Sequence, residues 1–153
     1  MSAGKRITPT GVLVLPASAP RWQWLEARRQ GITGTDVVKI IGASRYGGPL
    51  DVYLDKRRGE EDRDSEPAMW ERLLEDDVAR EWARRHGDGT RIRRAGLVRH
   101  HRHRHHLVTC DRLVVGQAAV LECKTTSAFK ADDWADGIPQ HVTIQTQWQM
   151  HVT

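Results

Sequence analysis

The sequence predicts an α/β or α+β protein, and three observations support this fold class. Between residues 67 and 86 apolar side chains recur at three- and four-residue steps, as they do along one face of an α-helix. From Arg91 onward short apolar runs alternate with turn residues, which is typical of β-strands. A second helical pattern begins at Pro139. Helices, then strands, then a helix indicate layers of helix packed on sheet.

The elements before residue 67 are predicted from caps and turn residues. Residues 1–20 are rich in Pro, Ala, Ser and Gly, so we expect a loose or extended N-terminal leader before a single domain over residues 21–153. Asp36 is a favourable N-cap type, Pro49 suits a first helical turn, and Gly59 suits a helix end. Short helices are therefore expected over residues 21–30, 36–41 and 49–59, followed by an acidic loop over residues 60–66.

The strongest helical signal covers residues 67–86 and ends at Gly87. We expect its apolar stripe to face the core, with both of its tryptophans buried. Glu71 and Glu75 lie along one edge of the stripe, so a carboxylate there would point to the boundary between core and solvent. The stripe consists of Trp70, Leu73, Leu74, Val78 and Trp82.

The strand region is predicted to contain a hairpin that aligns two acids. Gly116 and Gln117 have the composition of a Gly-first two-residue turn. With these residues as the turn, Asp111 lies directly across from Glu122, and opposed residues of antiparallel strands have Cβ atoms about 4.5–5.5 Å apart. The apolar runs place strands over residues 92–98, 106–110, 113–115 and 118–124.

Asp111, Glu122 and Lys124 form the candidate site. Alternation along a strand puts Glu122 and Lys124 on one face and Cys123 on the other. Two close carboxylates repel each other unless a cation or a proton lies between them, and Mg²⁺ or Mn²⁺ favours such ligands. The metal would polarise a phosphodiester and lower the pKa of a bound water, while Lys124 would orient that water or stabilise developing charge. Surface hairpins without chemical function also show this spacing, which leaves that alternative open.

Composition excludes several classes of protein. The chain has 153 residues and a formal net charge of +4. No stretch of it approaches the roughly 18 consecutive apolar residues that a membrane span needs. Its two cysteines are too few for a disulfide scaffold, and the N-terminus lacks the pattern of a signal peptide. We therefore expect a cytoplasmic protein without membrane contact.

Charge is strongly segregated along the chain. Residues 51–83 contain twelve acidic and six basic residues, whereas residues 84–104 contain eight arginines, one aspartate and four of the eight histidines. Arginine binds phosphate through two parallel hydrogen bonds, so the basic stretch could contact nucleic acid. A solvated surface is the alternative interpretation of such a stretch.

The histidines, the cysteines and several tryptophans are weaker indicators of function. The histidines at 100, 101, 103, 105 and 106 lack closely spaced Cys partners, so we expect an edge strand facing solvent or phosphate rather than a zinc site. Cys110 and Cys123 are expected to be buried and unpaired. Trp22, Trp24 and Trp134 are left open between core packing and contact with a base or a DNA end.

The motifs, taken in chain order, are specific as a set. They are residues 28–36 (RRQGITGTD), 41–46 (IGASRY), 49–53 (PLDVY), 69–75 (MWERLLE), 109–114 (TCDRLV), 121–126 (LECKTT), 137–139 (GIP) and 145–153 (QTQWQMHVT). In this order they resemble the phage-type recombinase exonucleases, the YqaJ-like and lambda-exonuclease-like family of the PD-(D/E)xK nuclease superfamily. The resemblance covers residues 21–153 and implies a restriction-endonuclease-like fold, a mixed central sheet flanked by helices.

The resemblance also implies roles for individual residues. Asp111 and Glu122 match the metal-binding acids, with the backbone carbonyl of Cys123 as a further ligand, and Lys124 matches the catalytic lysine. The implied metal is Mg²⁺, with Mn²⁺ as a substitute. The remaining matches are Glu75 for the family's helix-borne acid and Gln145 for the glutamine of the helix after the catalytic strands.

A second group of matches concerns the DNA end. Arg28, Thr35 and Thr109 match positions that hold a 5′-terminal phosphate, and Arg29 is the alternative to Arg28 if the alignment shifts by one residue. The family's Pro-Asp-Gly is replaced here by a Cys-Asp-Arg triplet around Asp111, which makes Arg112 a further candidate for phosphate contact.

The resemblance further implies double-stranded DNA as substrate and 5′→3′ digestion. A single-strand annealing protein as partner, a ring-shaped homotrimer and an origin in a phage or prophage are implied as well. The family pattern continues beyond residue 153, so we expect an incomplete domain. The leading interpretation is a Mg²⁺-dependent DNA exonuclease, and its rivals are a non-catalytic DNA-binding or assembly module, a structure-specific endonuclease and, less favoured, an RNA-binding protein.

Overall fold

The computed structural model describes residues 4–59, 65–87 and 89–153, without the side chains of residues 128 and 129. The acidic loop expected over residues 60–66 falls mostly outside this part of the chain. Five α-helices lie within the described residues, together with a 3₁₀ helix over Ala128–Trp134. The helices are α1 (Arg21–Arg28), α2 (Gly34–Ile40), α3 (Pro49–Arg58), α4 (Glu66–Arg85) and α5 (Gln140–Val152).

The strands of the described residues form two small antiparallel sheets of three strands each, ordered β1-β3-β4 and β2-β5-β6. The α/β class predicted from the sequence is therefore confirmed, with its sheet portion divided in two. The strands are β1 (Gly11–Leu15), β2 (Ile92–Arg93), β3 (Leu97–His100), β4 (Leu107–Thr109), β5 (Arg112–Val114) and β6 (Val120–Leu121).

The N-terminal residues contribute a strand to the first sheet. β1 pairs with β3 in an antiparallel register that sets Leu13 opposite Val98, and Val12 is buried. Of the loose or extended leader that we expected, residues 11–15 are extended and are paired in a sheet. The physical reason is the run Val-Leu-Val-Leu, whose β-branched and apolar side chains favour a paired, half-buried strand over exposure to water.

One predicted strand is split between the two sheets. Residues 92–98 were expected to form a single strand, but β2 pairs with β5 while β3 pairs with β1 and β4. Gly96 lies at the break with a φ of +79°, a conformation that side chains with a Cβ rarely adopt. A Cβ at this position would lie 2.2 Å from the carbonyl oxygen of Leu15, so the backbones approach too closely for any other residue.

The hairpin of β5 and β6 has the predicted register. Arg112 pairs with Leu121 and Leu113 pairs with Val120, which continues to Asp111 opposite Glu122. The connection is longer than the two-residue turn that we expected, because the last backbone bond joins the N–H of Val114 to the carbonyl of Ala119. The residues between them form the loop, and the alignment of the two acids is unaffected.

The core lies between α5 and the strands. Val98, Val108, Cys110 and Leu113 form it with Val152 of α5, and Trp148 packs against it from the same helix. Both cysteines are buried and free, as predicted. Helix α5 is thus fixed against the strands and carries its polar residues to the end of the β5–β6 hairpin.

Helix α4 packs differently from our prediction. Trp70 is 50% exposed and Leu73 is 58% exposed, and Ala79 is the one buried residue of the helix. Trp82 is half-buried against the ring of His86. The predictions of a core-facing stripe and of a buried Trp70 were therefore wrong. Helical periodicity shows which side of a helix is apolar, but it does not show whether another element covers that side.

The histidine-rich stretch forms a turn rather than the expected edge strand. His100 ends β3, and residues 101–106 connect it to β4. The ring of His100 is buried, and its Nδ1 accepts hydrogen bonds from the backbone N–H groups of Arg102 and His103. These two bonds hold the chain in a reversal, so the alternation of a strand does not apply there.

Candidate active site

The β5–β6 hairpin brings the two predicted acids together. Asp111 precedes β5, and its Oδ2 accepts a hydrogen bond of 2.7 Å from the backbone N–H of Cys123. This bond links the ends of the two strands directly beside Glu122. The carboxylates of Asp111 and Glu122 therefore line the same cavity, of about 230 Å³.

Glu122 is held by three donors. Its side chain is 7% exposed, and its Oε1 accepts from Lys124 Nζ at 2.8 Å and from Gln145 Nε2 at 2.7 Å. Its Oε2 accepts from Gln149 Nε2 at 2.5 Å. A carboxylate that accepts hydrogen bonds at both oxygens is held in one plane.

Gln145 and Gln149 reach Glu122 because they lie one turn apart on α5. Helix α5 packs closely on α2, where a Cβ added to Gly34 would lie 3.0 Å from Cγ of Gln145. Gln145 was predicted as a site residue and Gln149 was not. Its position four residues after Gln145 on the same helix face was the available signal.

Lys124 lies between two carboxylates. Its Nζ is 2.8 Å from Glu122 Oε1 and 3.0 Å from Glu71 Oε1 of α4. Burial alone would lower the pKa of Lys124, but the two acids raise it above its usual range. The lysine is therefore a fixed positive charge. Glu71 was expected only as an edge residue of α4, and its spacing of four residues from Glu75 was the signal for a role in the site.

Asp111 has the most perturbed carboxyl of the site. Burial, and then the negative charge of Glu122, raise its pKa to about 7, with a smaller contribution from Glu75. The N–H of Cys123 acts in the opposite direction and does not compensate. Burial likewise raises the pKa of Cys123 to about 11, so its thiol is neutral at pH 7.

Glu75 and Arg112 form a partly buried ion pair. Arg112 is 5% exposed on its side chain, and its guanidinium contacts the carboxylates of Glu75 and Asp76 as well as the carbonyl of Asp111. The donors of Arg112 are thus bonded to carboxylates and to a carbonyl, and the phosphate contact expected for Arg112 stays a prediction. The same bonds place Glu75 next to the two acids of the hairpin, as expected for the helix-borne acid.

The acids fit a hard divalent cation by their chemistry. Asp111 and Glu122 are two oxygen donors that line one cavity, and burial, followed by the negative charge of Glu122, raises the pKa of Asp111. Within the described residues, no three or more His, Cys, Asp or Glu side chains are grouped as a metal site. The fit is that of Mg²⁺, which takes one or two carboxylates and completes its shell with water and phosphate oxygens.

The same cavity is also lined by Arg28 and by three threonines, Thr33, Thr35 and Thr109. Arg28 Nη2 donates to the hydroxyls of Thr33 and Thr35, each at 3.2 Å. The guanidinium lies over the ring of Trp24 at 4.4 Å. Trp24 in turn donates from Nε1 to the Thr109 hydroxyl at 3.1 Å, so the indole connects Arg28 of α1 to Thr109 of β4.

The structure brings Arg28 to this cavity and directs Arg29 elsewhere. Arg29 pairs with Glu26 at 2.9 Å and donates to the backbone carbonyls of Lys56 and Arg57. Thr33, which sequence reasoning did not select, belongs to the set. The signal for Thr33 was its place two residues before Thr35, at the start of α2.

A larger cavity of about 630 Å³ adjoins the first one, and Thr35, Lys124 and Gln145 line both. Its other walls carry the basic residues Lys39, Arg45 and Lys130 beside the aromatic rings of Tyr46 and Trp134. Lys130 Nζ donates to the hydroxyl of Tyr46 at 3.1 Å. Of the tryptophans left open by the sequence, Trp24 and Trp134 line cavities, whereas Trp22 is 68% exposed.

Fold and site together define the class of this protein, an α/β protein with paired carboxylates and a lysine at one hairpin, in a cavity that they share with an arginine–threonine pocket. The chain belongs to the family of YqaJ-like viral recombinase domains, whose model matches residues 23–153. The family predicted from the motifs is thereby confirmed. The description of this family as viral recombinase domains agrees with the prediction of a phage recombination family.

A curated relative supports the same assignment. The chain is 38% identical over 145 residues to the uncharacterized protein YqaJ of Bacillus subtilis (strain 168). The alignment covers 92% of this chain and 45% of that protein, so the chain spans about half the length of the relative it matches. No helix in the described part of the chain is long and apolar enough to cross a membrane.

Proposed function

We propose that this chain is a metal-dependent nuclease of phage recombination that hydrolyses phosphodiesters of duplex DNA from 5′ ends. The observation that carries the proposal is the convergence of Asp111, Glu122 and Lys124 at one end of a hairpin. A hairpin with only a structural role does not need two carboxylates so close together that each makes the ionisation of the other less favourable. Such an arrangement is typical of sites that bind a cation.

Asp111 and Glu122 would hold Mg²⁺, or Mn²⁺ in its place, together with the backbone carbonyl of Cys123. Such an ion supplies a Lewis acid that polarises the phosphodiester and lowers the pKa of a bound water. Gln145 and Gln149 keep the Glu122 carboxylate in one plane by donating to both of its oxygens. Bonds of this kind to a ligating carboxylate orient it and tune its affinity for metal.

Lys124 would act on the phosphate side of the reaction. Its ammonium is held by Glu122 and Glu71, and its side chain lines both cavities. From this position it can orient an attacking water or stabilise negative charge that develops on the phosphate. Glu75 would add negative charge near Asp111 and Glu122, while Arg112 balances the charge of Glu75 itself.

The arginine–threonine pocket would hold the 5′-terminal phosphate of the strand. Arg28 provides the positive charge, and Thr35 and Thr109 provide hydroxyls, a combination that binds phosphate through charge-assisted hydrogen bonds. A terminal phosphate held there favours exonuclease action in the 5′→3′ direction. A single-strand annealing protein as partner and a ring-shaped trimer are further proposals, supported by the family resemblance.

A nuclease assay on matched linear and closed circular duplexes with Mg²⁺ tests the proposal. We expect degradation of linear DNA, intact circles, and a rate at least about 100-fold lower for Asp111→Ala and Lys124→Ala, since both act at the reacting groups. Asp77→Ala and Lys5→Ala change the same residue types at exposed positions away from the site, and both should keep wild-type activity.

Other outcomes would point to the rival functions. Undiminished degradation by either site variant would remove Asp111 or Lys124 from the reaction and contradict the proposal. Cleavage of closed circles would indicate a structure-specific endonuclease. Salt-sensitive DNA binding without any Mg²⁺-dependent cleavage would indicate a DNA-binding or assembly module.

A further inference from the structure

A buried carboxylate lies directly behind the arginine–threonine pocket. Asp36 of α2 is 3% exposed, and its Oδ2 accepts hydrogen bonds from the backbone N–H of Thr33 at 2.7 Å, from the Thr33 hydroxyl at 2.7 Å and from Lys56 Nζ at 2.8 Å. Burial alone would raise the pKa of Asp36, but the bonds from Lys56 and Thr33 lower it below its usual value. Asp36 is therefore ionised and acts only as an acceptor.

Lys56 connects this carboxylate to the backbone of Arg28. Its Nζ donates to the Arg28 carbonyl at 3.1 Å as well as to Asp36, and its side chain is 16% exposed. Arg28 is thus held through its backbone and its side chain, in addition to its contact with the Trp24 ring. Its backbone is bonded to Lys56, and its Nη2 is bonded to Thr33 and Thr35, of which Thr33 is bonded to Asp36.

The charge of Asp36 also fixes the direction of the hydrogen bonds in the pocket. An ionised carboxylate cannot donate, so the Thr33 hydroxyl must use its single hydrogen for Asp36. The Thr33 oxygen can then only accept, from Arg28 Nη2 and, when no ligand is bound, from the Thr35 hydroxyl at 3.1 Å, whose single hydrogen can turn to a bound phosphate. Both hydroxyl oxygens thereby face the guanidinium as acceptors, which sets the orientation of its plane.

We propose that the Asp36–Lys56 pair is a positioning pair for the phosphate pocket, which holds Arg28 and, through Thr33, the Thr35 hydroxyl in place for the terminal phosphate of a DNA strand. The inference rests on the proposed function, since the pocket is taken to hold that phosphate. A buried ion pair contributes little net stability compared with an apolar pair of similar shape, and its better-supported use is to specify one geometry. Here the geometry that it specifies is that of Arg28.

Binding of matched duplexes with a 5′-phosphate or a 5′-hydroxyl end tests the role without requiring cleavage. Fluorescence anisotropy, with Ca²⁺ replacing Mg²⁺, gives a Kd for each end and hence a phosphate preference. We expect the preference to fall about tenfold in Asp36→Asn, the usual scale for loss of a charge-assisted bond, while the Kd for the 5′-hydroxyl end changes less than about twofold. A purely structural role would weaken binding of both ends alike.

The matched control is Asp55→Asn on α3, which removes a surface pair with Lys39 (3.6 Å) and should keep the wild-type preference. Because Asp36→Asn leaves Lys56 without its counter-charge, the double variant Asp36→Asn/Lys56→Met removes both charges together. Circular dichroism melts establish that each variant folds. Thr33→Val, which keeps the ion pair and deletes only the hydroxyl link, should also lose the preference.

Two results would overturn the inference. One is a wild-type phosphate preference in Asp36→Asn or in the folded double variant, and the other is a wild-type protein that degrades DNA but binds both ends equally. A wild-type protein that prefers the 5′-phosphate and shows no Mg²⁺-dependent degradation would instead contradict the nuclease and support the positioning role, provided that Asp36→Asn abolishes the preference.

Discussion

Glu71 of α4 and Lys124 of the hairpin form an ion pair of 3.0 Å across 53 residues of sequence. A second pair, between Glu75 and Arg112, lies one helical turn further along α4. These charged contacts hold the helix beside the hairpin, although the apolar stripe of the helix remains exposed. The position of the helix-borne acid therefore depends on the two cations of the hairpin.

We expect Glu71→Gln to slow the chemical step without weakening DNA binding. The substitution removes one of two carboxylates that hold the Lys124 ammonium, and loss of such a supporting contact lowers activity about tenfold. Single-turnover cleavage and the Kd for DNA measure the two effects separately. The melting temperature should change little, because Glu71 is 42% exposed and exposed pairs contribute about 0–1 kcal/mol.

Glu81→Gln is the control for this prediction, since Glu81 pairs with Arg84 and Arg85 on the same helix and away from the site. It should match the wild type in both assays. A Glu71→Gln protein with a wild-type cleavage rate would show that Glu122 alone positions Lys124.

Gln149→Leu should weaken metal binding by about tenfold, as removal of a bond to a ligating carboxylate typically does. The variant frees Oε2 of Glu122, while Lys124 and Gln145 still hold Oε1. The Mg²⁺ concentration for half-maximal cleavage measures the effect. Gln147→Leu makes the same change at an exposed position of α5 and should leave that concentration unaltered. Equal Mg²⁺ requirements for the two variants would contradict the prediction.

Asp111→Asn should stabilise the metal-free protein and abolish cleavage. The pKa of Asp111 is raised to about 7 from 3.8, so the native state binds the proton more tightly than the unfolded state. By linkage, the ionisation of Asp111 lowers the free energy of unfolding as pH rises from about 4 to 7. The Asn side chain does not ionise, so the variant does not lose this stability. At pH 8 we expect melting a few degrees higher, since 1 kcal/mol corresponds to about 2–4 °C for a chain of this size.

The difference in melting temperature between Asp111→Asn and the wild type is the quantity to follow, because other groups titrate in the same pH range and affect both proteins. It should grow between pH 4 and 7 and stay constant above pH 7. Asp77→Asn, at an exposed position of α4, should show no such difference. A destabilised Asp111→Asn protein at pH 8 without metal would mean that the bond to Cys123 outweighs the repulsion from Glu122.

Acid should destabilise the β3–β4 turn and the end of α5 through their histidines. Burial, and then neighbouring imidazoles, lower the pKa values of His100 and His106. His106 Nδ1 and His151 Nε2 lie 2.9 Å apart, and His100 Nδ1 must stay unprotonated to accept its two N–H bonds. Lowered histidine pKa values give a stability that is complete above pH ~6.5 and is lost as pH falls, because the unfolded state binds more protons.

His100→Asn tests this, since the amide oxygen can replace Nδ1 as acceptor and does not titrate. Melting curves between pH 5 and 8 should show a smaller acid-induced loss for this variant than for the wild type. His86→Asn, at the exposed end of α4, is the control and should keep the wild-type profile. Parallel pH profiles for wild type and His100→Asn would contradict the prediction.

Local signals in the sequence were sufficient for much of the site. The hairpin register followed from a glycine-containing turn and from strand alternation, and it aligned Asp111 with Glu122 even though the loop proved longer than expected. Gln145 was expected at the site from the family resemblance. The hairpin inferences succeeded because each depends on residues fewer than about 25 positions apart, whose relative geometry is set by backbone periodicity.

The partners of each side chain depended on contacts that periodicity does not encode. Arg112 is a candidate for phosphate contact, and the approach of α4 gives it two carboxylates as partners. Glu71, Gln149 and Thr33 entered the site because other elements bring Lys124, Glu122 and Arg28 to them.

By itself, the sequence determined the α/β class, the family and the two acids and lysine of the hairpin, because motif order and strand alternation are properties of the chain. The tertiary structure decided which charges neutralise one another and which remain available to a ligand. Pairing of buried charges depends on distance and desolvation, and these are set only when α2, α4 and α5 pack beside the hairpin.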